Sequence, residues 1–155
     1  IDAILQLNVD RLGELVAHNV RIKARVVEAD PFEHGERAHL NFGHTFGHAV
    51  EKVSNFAYSH GESVALGMVA ATHLAVDLGM LDHGSGDRIM KLIARAGLPT
   101  RGMTLDSAAV HEAMAFDKKV KASKLRLILP DRIGHVVIRD DVPAAAVRGA
   151  IDSLV

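Results

Sequence analysis

Two histidines in the segment LNFGHTFGHAVE, residues 40–51, lie four positions apart. Because four residues are close to one turn of an α-helix, His44 and His48 would face the same side of a helix. Two imidazoles at this spacing are a known way for one helix to supply two ligands to a metal ion. The spacing therefore indicates a metal site or a polar binding surface.

Zinc peptidases use the same spacing in the form His-Glu-x-x-His, in which the glutamate is the general base. In this chain Thr45 stands where that glutamate would be. A peptidase site would therefore lack its catalytic residue, whereas metal binding by the two histidines does not need it. Since the chain contains no cysteine, a metal site must use histidine, aspartate, glutamate or water.

A third histidine, His60, lies in the sequence Ser-His-Gly-Glu at 59–62. This sequence has the form of a capping box, which predicts that a helix begins there with His60 in its first turn. The positive end of a helix disfavours protonation of an imidazole, so His60 would remain available to a cation. We interpret the other seven histidines as surface or structural residues. They are His18, His34, His39, His73, His83, His111 and His135.

The composition of the chain limits its possible partners. Its 155 residues, 48% hydrophobic and 24% charged, are typical of one globular domain. With 18 Lys and Arg against 19 Asp and Glu, it has no excess charge to attract nucleic acid or an anionic membrane. No apolar stretch is long enough to span a bilayer. We therefore expect neither partner, and the absence of cysteine fits a reducing cytoplasm.

Apolar residues recur at helical spacing in most of the chain, so we predict a mainly α-helical fold with a small β-hairpin near the C-terminus. The predicted helices cover 9–28, 40–53, 60–78, 86–96, 105–115 and 143–154, and the predicted strands 125–129 and 136–138 flank a turn at 130–134. Gly43 and Gly47 lower the helix propensity of the second helix. These glycines indicate close packing against another element.

Four polar residues fall on one stripe of this second helix when counted in helical steps. They are Arg37, Asn41, His44 and His48. A solvated face would explain such a stripe, but the neighbouring positions are small rather than strongly apolar, so we expect an enclosed helix whose polar groups need partners. Lys23 and the basic group Asp117-Lys118-Lys119 add cations of the kind that a phosphorylated or carboxylated substrate requires.

Longer motifs connect these residues to a known family. The motif RxxLNFGHTFGHAVE at 37–51 is followed by HGExVAxGM at 60–68 and by DKK at 117–119. Together they closely resemble the 3-dehydroquinate synthase family, and the similarity extends from IKAxVV at 22–27 to the strand at 125–129. The resemblance implies a two-domain enzyme with NAD on an N-terminal α/β domain and a divalent metal, zinc or cobalt, on a helical C-terminal domain.

This chain resembles the second of those domains over residues 1–155. It shows no Gly-rich phosphate loop and no alternation of strands and helices, and it begins without Met inside a segment that reads as structured. We therefore expect a fragment that lacks the NAD-binding domain and is inactive alone.

The resemblance also implies roles for individual residues. The family's metal ligands are a glutamate and two histidines that match His44 and His60, with the glutamate upstream of Ile1. The histidine that matches His48 faces the substrate phosphate, so His48 and Asn41 are the catalytic candidates. The residues that match substrate-binding positions are Lys23, Arg37, Asn41, His48 and either Lys118 or Lys119, between which the motif does not decide.

The implied activity is that of a phosphorus-oxygen lyase in the shikimate pathway of aromatic amino acid biosynthesis. It converts 3-deoxy-D-arabino-heptulosonate 7-phosphate, a phosphorylated keto-sugar acid, to 3-dehydroquinate and phosphate, with NAD unchanged at the end. The resemblance further implies a cytoplasmic homodimer for the full-length protein.

Two alternatives are open. A related sugar phosphate cyclase or a metal-dependent polyol dehydrogenase would share the two-domain architecture and act on a different substrate. A non-catalytic helical interaction module would keep the fold without the chemistry. The complete set of polar candidates argues against that module. The set comprises Arg37, Asn41, His44, His48 and His60.

Overall fold

The computed structural model describes residues 2–32, 35–101, 104–120 and 125–155, and for 116–120 it describes the backbone alone. The chain forms two compact units, Ile1–Leu40 and Asn41–Val155. The elements are α1 (Asp2–Leu5), α2 (Val9–Ala29), a 3-10 helix (Glu36–Asn41), α3 (His44–Val53), α4 (His60–Asp77), α5 (His83–Arg95), α6 (Ser107–Val120), β1 (Leu127–Arg132), β2 (His135–Arg139) and α7 (Ala144–Asp152). The predicted fold class, mainly α with a C-terminal hairpin, is confirmed.

The first unit is dominated by α2. The helix starts after Asn8, whose side chain accepts a hydrogen bond from the backbone N–H of Arg11 at 3.0 Å, and satisfies a helix-terminal donor in this way. It ends at Asp30, as the Asp-Pro sequence predicted. The Asp30 carboxylate then accepts hydrogen bonds from the backbone N–H groups of Gly35 and Arg37, at 2.8 and 3.1 Å. One carboxylate thus fixes the start of the 3-10 helix.

The core of the second unit is built around α4. This helix is apolar on nearly all sides and contacts α3, α5, α7 and β1. A helix that is hydrophobic all round is stable in water only when it is surrounded by other elements. The largest fully buried side chains of this unit include Phe46, Val50, Leu66, Leu74, Leu129 and Ile151. Within the described ranges, no helix combines the length and apolarity that a membrane crossing needs.

The hairpin pairs β1 and β2 antiparallel, with Leu129 opposite Val137. The predicted turn at 130–134 is too long, because β1 continues to Arg132. An irregularity between Pro130 and Arg132 accommodates the proline, which has no N–H to donate, and leaves a tight turn at Gly134 with a φ of 84°. The buried side chains of β1 contribute to the core around α4.

The predicted start of the second helix at residue 40 is wrong. Residues Glu36–Asn41 form the 3-10 helix, and α3 begins only at His44. Between them Gly43 adopts a φ of 81°, a left-handed conformation that stops one helix from running into the next. Arg37 and Asn41 therefore do not continue the stripe of His44 and His48 on one helix.

Candidate metal centre

Glycines allow α3 and α4 to pack backbone against backbone. A Cβ atom on Gly67 of α4 would lie 2.0 Å from the carbonyl oxygen of Gly43 and 2.7 Å from the amide nitrogen of Gly47. A Cβ atom on Gly47 would in turn lie 2.9 Å from the carbonyl oxygen of Ser63. No larger residue fits at such distances, so the close packing that the glycines indicated is present. The crossing brings the histidines of α3 next to the start of α4.

The three candidate histidines form a compact cluster. The ring centroids of His44 and His48 are 5.5 Å apart, those of His44 and His60 are 5.5 Å apart, and those of His48 and His60 are 5.9 Å apart. Two imidazoles on one tetrahedral zinc ion have centroids about 5 Å apart, given zinc–nitrogen bonds of about 2.0–2.1 Å. The spacing of the rings thus fits a shared ion.

Two of these rings have their Nδ1 atom directed at an oxygen acceptor. His44 Nδ1 is 3.3 Å from the carbonyl oxygen of Phe42, and His60 Nδ1 is 3.5 Å from Oε2 of Glu51. A carbonyl or carboxylate oxygen only accepts, so in a neutral ring the proton would lie on Nδ1 of each pair and leave the lone pair on Nε2. Metal-binding histidines show this pattern, in which the second ring nitrogen donates to a carbonyl or a carboxylate.

Glu51 is a residue that the sequence did not single out. Its carboxylate, the His60 ring and the His48 ring each offer a potential ligand atom, and these atoms lie within 4.8 Å of one another. The signal was available, because Glu51 follows His44 by seven positions and His48 by three, so all three share one face of α3. The Glu51 side chain is 19% exposed, whereas that of His60 is 58% exposed.

The carboxylate of Glu62, two residues after His60 in the sequence, is bound to Ser59. Glu62 Oε2 accepts hydrogen bonds from the backbone N–H and the hydroxyl of Ser59, at 2.8 and 2.7 Å. The predicted capping box at the start of α4 is therefore confirmed. The Ser59 hydroxyl, followed by the Ser59 backbone N–H, lowers the pKa of Glu62 below its ordinary value.

An apolar depression of about 200 Å³ adjoins His44 and His60. Its other walls are Gly61, Val64, Ala65, Met68, Ile93 and Leu98. Apolar side chains therefore lower the polarity on one side of the two rings. A charge held there would interact more strongly with its ligands than in bulk water.

The remaining predicted site residues are placed as follows. Asn41 closes the 3-10 helix, three residues before His44. Lys23 is exposed on α2, and Arg37 Nη1 donates to the carbonyl oxygen of Pro31 at 2.7 Å within the first unit. The side chains of Lys118 and Lys119 lie outside the described residues. The structure thus clusters His44, His48 and His60, and all substrate and metal assignments stay predictions.

Comparison with known families agrees with the motifs. A family model described as 3-dehydroquinate synthase C-terminal matches residues 1–120. The chain belongs to this family. A 3-dehydroquinate synthase of a Synechococcus species is 45% identical over 99% of this chain and 42% of its own length. That of Nostoc punctiforme is 40% identical over 99% of this chain and 43% of its own length. The chain thus spans about two fifths of the length of the relatives it matches.

Solved structures establish the fold independently. The 2-epi-5-epi-valiolone synthase of Streptomyces hygroscopicus, solved with NAD+ and Zn2+ bound, matches with a TM-score of 0.79 and 24% identity over 91% of this chain and 39% of its own. A 2-deoxy-scyllo-inosose synthase complexed with carbaglucose-6-phosphate, NAD+ and Co2+ matches with a TM-score of 0.82 and 20% identity over 94% of this chain and 42% of its own. At these identities the likeness concerns the fold.

Proposed function

We propose that residues 1–155 are the metal- and substrate-binding domain of a 3-dehydroquinate synthase, a lyase of the shikimate pathway of aromatic amino acid biosynthesis. The full-length protein would convert 3-deoxy-D-arabino-heptulosonate 7-phosphate to 3-dehydroquinate and phosphate, as a cytoplasmic homodimer with NAD held mainly by an N-terminal domain. The observation that carries the proposal is the histidine cluster, in which His44 and His60 both have Nδ1 hydrogen-bonded. The sequence identities of 40–45% to synthases support this substrate over those of the cyclases that match at 20–24%.

His44 and His60 would hold a divalent ion, zinc or cobalt, through Nε2. The imidazole donors suit these metals, and a carboxylate from outside residues 1–155 would complete the usual three protein ligands and leave one position open. Such an ion, when bound, polarises a carbonyl group and lowers the pKa of a coordinated alcohol. The similar structures that contain Zn2+ or Co2+ support this choice of metals.

His48 and Asn41 would orient the substrate. The His48 ring is exposed beside the other two histidines, where it is accessible to a phosphate group. Lys23, Arg37 and one lysine of the pair Lys118 and Lys119 would bind the phosphate and the carboxylate of the substrate as cations. The polarised carbonyl group makes the proton on the neighbouring carbon acidic. The phosphate group, held close to that carbon, can remove this proton as the phosphate leaves, so the main contribution of these residues is positioning.

The test is an assay of phosphate release by the full-length protein with NAD, Zn2+ and the heptulosonate phosphate, together with Zn2+ affinity. We expect His44→Ala and His60→Ala to lose both metal affinity and turnover. His48→Ala should keep the metal and lose turnover by about 100-fold or more. His83→Ala is the matched control, because His83 also stands at the first position of a capped helix, and it should change neither quantity.

Glucose 6-phosphate in place of the heptulosonate tests the alternative activity, since one similar structure holds a carba-analogue of that sugar phosphate. Phosphate release from glucose 6-phosphate alone would assign the protein to another sugar phosphate cyclase. Absence of release from either substrate, with NAD and Zn2+ present, would contradict the proposed function.

A further inference from the structure

We propose that Glu51 is a positioning residue, whose carboxylate fixes the ring of His60 so that Nε2 faces the metal. The proposal rests on the proposed function in so far as His60 binds a divalent ion. It starts from the contact between His60 Nδ1 and Glu51 Oε2 at 3.5 Å, which joins the last turn of α3 to the first turn of α4.

His60 needs such a partner more than His44 does. The His44 ring is partly buried, and its Nδ1 faces the Phe42 carbonyl two residues away, so the local backbone holds it. The His60 side chain is 58% exposed, so its surroundings enclose it less than they enclose the partly buried His44 ring. A carboxylate on Nδ1 orients the ring, selects the tautomer with a free Nε2 lone pair and makes that nitrogen a better donor to a metal.

The chain fixes the position of Glu51 through its backbone. The Glu51 carbonyl oxygen accepts a hydrogen bond from the Ser54 hydroxyl at 3.0 Å and another from the backbone N–H of Phe56 at 2.9 Å. Asn55 and Phe56 have φ values of 53° and 61°, a left-handed conformation that residues other than glycine seldom adopt. The tight connection that results returns the chain to His60 directly opposite Glu51.

Glu62 cannot take over this role although it is closer in sequence. Its carboxylate is bound to Ser59 by two short hydrogen bonds, so it caps the helix. Glu62 lies two residues after His60 in the sequence, and of the two glutamates Glu51 is the one whose carboxylate contacts the ring. Glu62→Gln is therefore a control that removes the same charge without removing the hydrogen bond to His60.

Glu51 could instead be a direct ligand, since it also lies near His48. The two roles predict different spectra for bound Co2+, whose visible absorption depends on the number and kind of its ligands. A positioning residue changes affinity and leaves the ligand set intact. A direct ligand changes the absorption bands when it is replaced.

The experiment measures Co2+ affinity, by competition with a chelator, and the visible Co2+ spectrum in the full-length protein and in its variants. We expect Glu51→Ala to weaken Co2+ binding about 10- to 100-fold, the range known for partners of metal-binding histidines, with unchanged band positions. Glu51→Gln should bind more tightly than Glu51→Ala, because the amide oxygen still accepts from Nδ1. Glu62→Gln should bind Co2+ as the unmodified protein does.

Three results would overturn the proposal. Shifted bands in Glu51→Gln would make Glu51 a ligand, and unchanged affinity in both Glu51 variants would make its contact with His60 irrelevant to the metal. An equal loss of affinity in Glu62→Gln and Glu51→Gln would show that the loss of a negative charge, and not the contact with His60, weakens metal binding. Failure of the proposed function has a separate signature, because the unmodified protein would then bind no Co2+, or His44→Ala would bind it with undiminished affinity.

Discussion

The two longest helices in the described part of the chain, α2 and α4, differ in how far their apolar residues are buried. In α2, which has 21 residues and is described throughout, Val26 alone is buried, and Val9, Val16 and Val20 are 59–79% exposed. In α4, which has 18 residues, eleven are buried. The sequence of α2 has the clearer helical periodicity, whereas α4 is apolar nearly all round. Periodicity therefore predicts that a helix has an apolar face, and overall apolarity predicts that it is enclosed.

The glycines of the two helices show the same contrast. Around Gly13 in α2, a Cβ atom would meet nothing within 4 Å, whereas around Gly67 in α4 it would meet backbone atoms at 2.0 and 2.7 Å. A glycine in an open helix lowers stability, because it adds freedom to the unfolded chain without improving any contact. At the crossing of α3 and α4, the close approach of the two backbones requires a residue without a side chain.

The largest effect is expected for Gly67→Ala. Its methyl group would collide with the backbone at Gly43, which cannot rotate away as a side chain could, so α3 and α4 must separate. We expect a loss of about 3 kcal/mol or more in the free energy of unfolding, measured by urea denaturation, together with a loss of metal affinity. A loss below about 1 kcal/mol would mean that the helices cross less closely in solution.

Low pH should destabilise α5, which packs against α4, and leave the cap of α2 unaffected. The side chain of Asp82 caps α5 by accepting from the backbone N–H of Ser85. A hydrogen bond from the Ser85 side chain, followed by this backbone hydrogen bond, lowers the pKa of Asp82. A lowered pKa stabilises the fold above the ordinary aspartate pKa, and this contribution disappears as the pH falls through the lower value of the folded state. Asn8 caps α2 with a group that does not titrate.

The measurement is thermal unfolding between pH 2 and pH 6. Asp82→Asn keeps a capping side chain and should reduce the stability lost in acid, whereas Asn8→Asp should add a new acid-dependent component. Identical acid profiles for Asp82→Asn and the unmodified chain would show that this cap does not contribute to pH dependence.

Local signals in the sequence predicted much of the fold. The Ser59 and Glu62 capping box, the proline before α7 and the apolar periodicity each act within a few residues, and the corresponding elements begin close to where they were predicted. The start of α3 was missed because Gly43 adopts a left-handed conformation and lies against the backbone of Val64 and Met68, which are distant in sequence. Propensity alone does not reveal that contact.

The candidate site shows the same limit. Motif and spacing selected His44, His48 and His60, and the glycines of the motif explain how the three rings meet. Glu51 was missed, because its partner His60 comes from another helix and the hydrogen bond between them exists only after the chain has turned. The position of Glu51, seven residues after His44, predicts a contact with His60 only when it is known which face of α3 points to α4.

Gly13→Ala in α2 should have an effect opposite to that of Gly67→Ala. Nothing obstructs a methyl group at Gly13, and alanine favours the helix, so we expect a gain of about 0.5–1 kcal/mol in the free energy of unfolding. Urea denaturation of both variants under the same conditions gives the comparison directly. A destabilised Gly13→Ala variant would show that α2 approaches a neighbour closely at this position.

The smallest effect is expected on the apolar face of α2. Val20 is 60% exposed, so Val20→Ser removes few contacts, and the free energy of unfolding should change by no more than about 0.5 kcal/mol. Val69, which is 1% exposed in α4, provides the matched control, because Val69→Ser buries a hydroxyl group and removes two methyl groups from the core. We expect that variant to lose about 2 kcal/mol or more.

If Val20→Ser were equally destabilising, the apolar face of α2 would have to be covered in solution. Sedimentation equilibrium on both variants would then show whether a second copy of the chain covers it, since loss of a dimer contact would leave Val20→Ser monomeric.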